Sequence, residues 1–273
     1  MKFENHYLAI FLAAALFLTS CGNLKNPLIP AAGSTNSLET TGSTNSSSFN
    51  PFTATNYVYV TSWGTSGSGV GQFVTPIGIT VSPSAQVYVS DFGNNRIQVF
   101  STNGVYSTQW GSLGAGNGQF NGSSGNAWDS SGNFYVCDYQ NNRVQKFNSS
   151  GTFTLAWGSQ GSGNGQFSNN QGIAISSSGD VYVCDQGQRI QKFDTSGNYV
   201  TKWGSYGTGN GQFNIPTGVG VDPSGNVYVA DSQNHRIQKF NSSGTFINKW
   251  GSSGSGNGQF SSPQSVKCDT NGS

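Results

Sequence analysis

From Tyr57 onward the chain alternates short apolar stretches with clusters of Ser, Gly, Asn and Asp. One stretch shows the pattern well. Gly218-Val219-Gly220-Val221 is followed by the turn Asp222-Pro223-Ser224-Gly225, then by Val227-Tyr228-Val229 and Asp231. Arg236-Ile237-Gln238 and Phe240 come next, before a second turn, Asn241-Ser242-Ser243-Gly244. Runs this short, rich in β-branched and aromatic residues and bounded by turn residues, predict strands.

The pattern repeats. Trp-Gly recurs at Trp63, Trp110, Trp157, Trp203 and Trp250, and a Gly-Gln-Phe follows each time, ending at Phe73, Phe120, Phe167, Phe213 and Phe260. A period of about forty-seven residues with four strand candidates per period is the signature of β-propeller blades, which are stable only when stacked on one another. The recurring Trp and Phe suit the interfaces between blades, where an aromatic ring buries roughly 150–250 Å². Composition agrees with an all-β fold: charged residues make up 8% of the chain and Gly 39 of 273, so the usual helix formers are scarce.

The segment Val229-Ala230-Asp231-Ser232-Gln233-Asn234-His235-Arg236-Ile237-Gln238-Lys239-Phe240, with the Trp-Gly-Ser-x-Gly-x-Gly-Asn-Gly-Gln-Phe segments, resembles the NHL-repeat family of β-propellers. The resemblance runs over roughly residues 57–273. It implies four-stranded NHL-type blades in a ring that commonly has six, acting mostly as an interaction platform, although a few relatives are enzymes. Tyr57 to Trp63 match only the last strand of a unit, four complete units follow, and the first strand of a fifth ends the sequence. The expectation is therefore an incomplete ring of about four and a half blades over residues 56–273, with Tyr57 to Trp63 suited to a closing strand. Open edges would favour self-association.

Ahead of the repeats, Lys2 and the apolar run Leu8 to Leu18 lead into Leu18-Thr19-Ser20-Cys21. The run is too short for a membrane span and reads as a signal peptide over residues 1–21. Its ending resembles the lipobox of bacterial lipoproteins, which implies lipidation of Cys21 and a place in the bacterial cell envelope, facing outside the cytoplasm, at the outer membrane or cell surface. The alternative is an ordinary secretory signal in which Cys21 is incidental. Residues 22–55, dominated by Ser, Thr, Asn, Gly and Pro, read as a flexible tether.

The net charge of +1 supplies no basic surplus, so no nucleic-acid partner is expected. Cys137 and Cys184 share a repeat position with Ser90 and Ala230, which predicts a small buried side chain; with Cys268 they form neither a disulfide framework nor a zinc motif. Gly116-Asn117-Gly118 and its equivalents sit between strands, not between a strand and a helix, and read as loops rather than phosphate cradles. Asp91, Asp138, Asp185 and Asp231 precede Arg96, Arg143, Arg189 and Arg236 by four or five residues. This is either a ring of carboxylates for a cation or a turn-satisfying, Arg-paired architecture, and repetition favours the second. His235, at the position of Asn95, Asn142 and Gln188, reads as a turn residue. No metal, cofactor or catalytic set is expected, because the acids occupy repeated positions; Lys267 alone among the later basic residues has no recurring place.

In an up-and-down blade, the loop between strands two and three and the link to the next blade emerge on one face. The variable residues concentrate there: Phe92, Tyr139, Gln186 and Ser232, with Ser66, Leu113, Gln160, Tyr206 and Ser253 in the link. Phe92, Leu113, Tyr139, Gln160, Gln186 and Tyr206 are the candidate contact residues for a protein, peptide or glycan; neutral drift in exposed loops is the alternative. Asn126 and Trp128 stand where other units have Ile or Val, and mark a candidate inner pocket or local repacking. The favoured reading is a membrane-anchored, non-catalytic binding propeller. An NHL-type lyase or hydrolase, and a fragment of a longer propeller, are the alternatives.

Overall fold

The computed structural model describes residues 60–269. The chain divides into Met1–Thr61 and Ser62–Ser273. Of the first unit only Val60 and Thr61 are described, and neither is in a strand. The signal segment ending at Cys21 and the tether over residues 22–55 lie outside the described residues.

The second unit opens with two minimal strands, β1 (Thr65–Ser66) and β2 (Gln72–Phe73), paired in parallel. Four antiparallel sheets of four strands follow. The first comprises β3 (Pro76–Val81), β4 (Gln86–Asp91), β5 (Arg96–Ser101) and β6 (Tyr106–Trp110). The second comprises β7 (Ser123–Trp128), β8 (Phe134–Asp138), β9 (Arg143–Phe147) and β10 (Phe153–Trp157). The third is β11 (Asn170–Ile175), β12 (Val181–Asp185), β13 (Arg189–Phe193) and β14 (Tyr199–Trp203). The fourth is β15 (Pro216–Val221), β16 (Val227–Asp231), β17 (Arg236–Phe240) and β18 (Phe246–Trp250). Each sheet is a meander of sequential neighbours, as a blade should be, and the array does not close into a ring.

The turns form for the reason their sequences give. In Asp222–Gly225 the Asp222 carboxylate accepts from the Asn226 amide at 2.8 Å, while the Gly225 amide donates to the Asp222 carbonyl at 2.9 Å. Short polar side chains thus take up the backbone groups that the hairpin leaves unpaired.

One apolar cluster fills each of the three interfaces between blades. Tyr88, Ile97 and Val99 meet Phe134, Val136 and Phe147. Tyr135, Cys137 and Val144 meet Ile173, Val183 and Phe193, and Tyr182, Cys184 and Ile190 meet Val219, Val229 and Phe240. Each cluster also takes the Phe of one Gly-Gln-Phe: Phe120, Phe167 and Phe213 are fully buried. Trp63, Trp110, Trp157 and Trp203 each reach the next blade: Trp63 lies 6.3 Å from Phe100, Trp110 6.0 Å from Phe147, Trp157 5.8 Å from Phe193 and Trp203 5.8 Å from Phe240 between ring centres. Ser90, Cys137, Cys184 and Ala230 are all fully buried, so the shared position is a small one, as expected.

The inner strands β3, β7, β11 and β15 approach each other closely enough to require glycine. A Cβ on Gly172 would lie 2.5 Å from the Thr217 carbonyl oxygen, and one on Gly125 would lie 2.4 Å from that of Gln171.

Two expectations are corrected at the ends of the array. Val60 to Trp63, the described part of the proposed closing strand, carry no strand; the short parallel pairing comes after them at β1 and β2. The segment expected to be the first strand of a fifth blade runs alongside β15, with the Ser265 Cα 2.7 Å from where a Gly218 Cβ would be, but it is not a strand either. Neighbouring blades touch through side chains and close backbone passage, whereas strand pairing needs a ladder partner within the same sheet.

Candidate functional site

The link face is built on a repeated polar clamp. In the fourth blade the Asp231 carboxylate is fully buried and accepts from Arg236 Nε at 2.7 Å, Asn234 Nδ2 at 2.9 Å, Gln238 Nε2 at 3.1 Å and the Asn214 amide at 2.7 Å. The rest of the Arg236 guanidinium donates to the carbonyls of Thr208, Gly209 and Gln212, in the glycine-rich link that leads into the same blade. Arg96 holds Ser68, Gly69 and Gln72 in the same way. The glycine loops therefore turn their carbonyls inward onto a cation, the reverse of a phosphate cradle. The four Asp are structural, each paired with its own Arg at 2.7–3.0 Å.

The third blade departs from this scheme. Its loop is one residue shorter, so Asp185 and Arg189 are four apart, and the amide given by Asn94, Asn141 and Asn234 elsewhere has no counterpart. Asp185 accepts instead from the Gly187 amide, Arg189 and Gln191. Burial raises its carboxyl pKa above the ordinary value, with Arg189 opposing the rise only in part.

His235 belongs to a second device that sequence reading had placed only as a turn. It adopts the left-handed conformation, φ 54°, and its Nδ1 accepts from the Ser262 amide at 3.1 Å. Asn95 accepts from Gly122, Asn142 from Asn169 and Gln188 from Ile215 in the same manner. Each blade thereby fixes the chain coming into the next. The signal was present in the sequence, since Asn, Gln and His share a side-chain acceptor.

The six candidate contact residues fall into two tiers. Phe92, Tyr139 and Gln186 are half-buried and form one row across three blades: the Phe92 and Tyr139 rings meet edge-on at 5.7 Å, and Gln186 Nε2 donates to the Tyr139 hydroxyl at 2.7 Å. Ser232 continues the series in the fourth blade, accepting from Gln264 Nε2 at 3.0 Å. Leu113, Gln160 and Tyr206 lie in the links, each in a single parallel bridge to the Phe of its Gly-Gln-Phe, with exposed side chains.

Asn126 and Trp128 also separate. Asn126 is buried and donates to the Ser90 hydroxyl of the preceding blade at 2.7 Å. Trp128 packs on Tyr88 and Phe134, with ring centres at 4.8 and 5.1 Å, and lines a cavity of about 200 Å³ among the inner strands.

Cys137, Cys184 and Cys268 are unpaired thiols. Burial pushes Cys184 up to about 12 and Cys268 up to about 11, and raises Cys137 well above the usual thiol range. Among the described residues no group of three or more His, Cys, Asp or Glu could hold a metal ion.

With this geometry in place, comparison with known proteins gives a class. Residues 73–100 and 213–240 match the family model of the NHL repeat, each running from the Phe of a Gly-Gln-Phe to the Phe near the end of a third strand. The sheets are blades of a propeller fold, and the two matched repeats fall in the first and fourth of them. Among solved structures, the chain is similar to virginiamycin B lyase from Staphylococcus aureus, with a TM-score of 0.50 and 18% identity over 63% of this chain and 54% of that one. It is similar also to a streptogramin B lyase structure, with a TM-score of 0.51 and 17% identity over 64% of this chain and 54% of that one. The chain spans about half the length of these structures, and at such identity the likeness is one of fold. A comparison with curated protein sequences finds no match.

Proposed function

We propose that the chain is a non-catalytic binding platform of the bacterial cell envelope, anchored through a lipid on Cys21 and contacting a protein, peptide or glycan through the Phe92–Tyr139–Gln186 row. The observation that carries this reading is the row itself. Three different side chains, two of them aromatic, touch one another across three otherwise repeated blades. Half-buried aromatic residues with a polar tip are the kind that dominate binding surfaces, because they offer large contact area at low entropy cost. The exposed Leu113, Gln160 and Tyr206 form an outer rim that a large partner reaches at the same time.

The test is a glycan and peptide array probed with the purified chain and with a Phe92→Ala/Tyr139→Ala/Gln186→Ala variant. Binding that falls at least tenfold in the variant supports the reading; undiminished binding, or none by either protein, overturns it.

The fold shared with streptogramin lyases favours a second reading, a lyase acting on a cyclic peptide antibiotic. His235 is the sole His of the repeats, and its Nδ1 is engaged with Ser262. Incubation with virginiamycin B, followed by mass spectrometry, distinguishes the two: a ring-opened product would replace the platform by an enzyme.

A further inference from the structure

The antiparallel pairing of Pro76 with Asp91 puts the Phe92 row at the beginning of the inner strands. The cavity of about 200 Å³ is lined by their last residues, Thr80, Val81, Ala127, Trp128, Ala174, Ile175, Gly220 and Val221, so it lies at the opposite end of the channel. Lys267 and Cys268 complete its wall. A second cavity of about 370 Å³ shares Ile175, Val221 and Cys268 with it, and opens between the turns that follow β11 and β15.

Two residues that break the repeat converge on this one wall. At the position of Lys267 the other units have Thr80, Ala127, Ala174 and Gly220; at the position of Trp128 they have Val81, Ile175, Val221 and Cys268. Lys267 is exposed, and among the described residues its ammonium has no hydrogen-bond or ion-pair partner. Crowding by the surrounding protein lowers its pKa. At the mouth, the Asp222 carboxylate is occupied by Asn226 and Tyr228, with Lys239 at 3.9 Å.

We propose that this end of the channel binds a small organic carboxylate with a flat apolar body, its carboxylate on Lys267 and its body against Trp128. Most of the other lining residues have small or aliphatic side chains. One ammonium balances one negative charge, whereas a doubly charged phosphate would need a second cation that the lining residues do not supply. The cavity is smaller than the roughly 300–1,000 Å³ of sites for drug-sized ligands, which restricts the occupant to a small molecule.

Benzoate is the probe, titrated calorimetrically into the full chain, with acetate, benzyl alcohol and inorganic phosphate as comparisons. Lys267→Ala and Trp128→Ile place at these positions the residues that other blades already carry. Benzoate is expected to bind at one site, at least tenfold more tightly than the three comparison compounds. Each substitution is expected to weaken it tenfold or more, while the Phe92/Tyr139/Gln186 triple variant leaves it unchanged. Benzoate should also protect Lys267 of the unsubstituted chain from trinitrobenzenesulfonate, a readout that needs no variant to fold. The proposal is overturned if benzoate does not bind, if phosphate binds more tightly, if Lys267→Ala binds as before, or if Lys267 is not protected. None of these results bears on the row at the opposite end.

Discussion

Each buried Asp–Arg pair holds a link onto its own blade, and its value depends on completeness. Removing Arg236 would leave the fully buried Asp231 carboxylate without its cation and the Thr208 carbonyl without its donor, while the Gly209 and Gln212 carbonyls would keep the Gln212 amide and Gln238 Nε2. Loss of one partner of a buried pair costs about 3–5 kcal/mol, so Arg236→Ala should lower the urea midpoint by a corresponding amount. The third blade behaves differently because its carboxylate has fewer donors. A carboxyl whose folded pKa is raised above its unfolded value penalises the fold at neutral pH, and the penalty is relieved as pH falls through the folded pKa. Asp185→Asn is therefore expected to destabilise less at pH 7 than Asp231→Asn, and equilibrium unfolding of the two variants measures the difference. The thiols give a third check at this scale. Cys137 and Cys184 are fully buried and held as thiols, whereas Cys268 is part-exposed, so N-ethylmaleimide at pH 8 should label Cys268 first in the native chain, as read by peptide mass spectrometry.

Strands were the most legible elements. Val227-Tyr228-Val229 and Arg236-Ile237-Gln238, flanked by Asp-Pro-Ser-Gly and Asn-Ser-Ser-Gly, became β16, β17 and their turns, because period and turn chemistry pointed the same way. Close passage between inner strands was not legible. Gly172 reads as a weak residue in a strand, and its need emerges only when the Thr217 carbonyl of the next blade is seen 2.5 Å from its missing Cβ. Gly172→Ala should therefore destabilise by about 1–3 kcal/mol through forced displacement of β15, which thermal unfolding followed by circular dichroism would register. The same blindness separated the candidate site residues. Phe92, Tyr139 and Gln186 were grouped with Leu113, Gln160 and Tyr206 by variability on a shared face, while burial, which divides the tiers, is a three-dimensional property. Lys267 stood out in the sequence as unrepeated, yet only the stacking of inner strands brings it to the same wall as Trp128.

In the whole molecule, stability is shared among neighbours: each interface has its own cluster, so blades are expected to gain stability from adjacent blades in the manner of other repeat arrays. At this scale anchoring also becomes testable. Metabolic labelling with radioactive palmitate should mark the chain in a bacterial host and be lost in Cys21→Ser, with the protein moving from the membrane to the soluble fraction. Label retained in the variant would remove the lipobox reading and leave an ordinary secretory signal.

The guanidinium clamp reaches back to the link that leads into its own blade, and the left-handed residue reaches forward to the amide that begins the next. A stretch from one Trp to the next therefore carries both halves of the junction it needs: a clamp for itself and an acceptor for whatever follows. Copying or deleting such a stretch in the gene would leave every remaining junction complete. Blade number can thus change by unequal recombination without loss of a clamp or an acceptor, and the near-identity of the polar loops, beside the divergence of Phe92, Tyr139 and Gln186, is the trace such a history would leave.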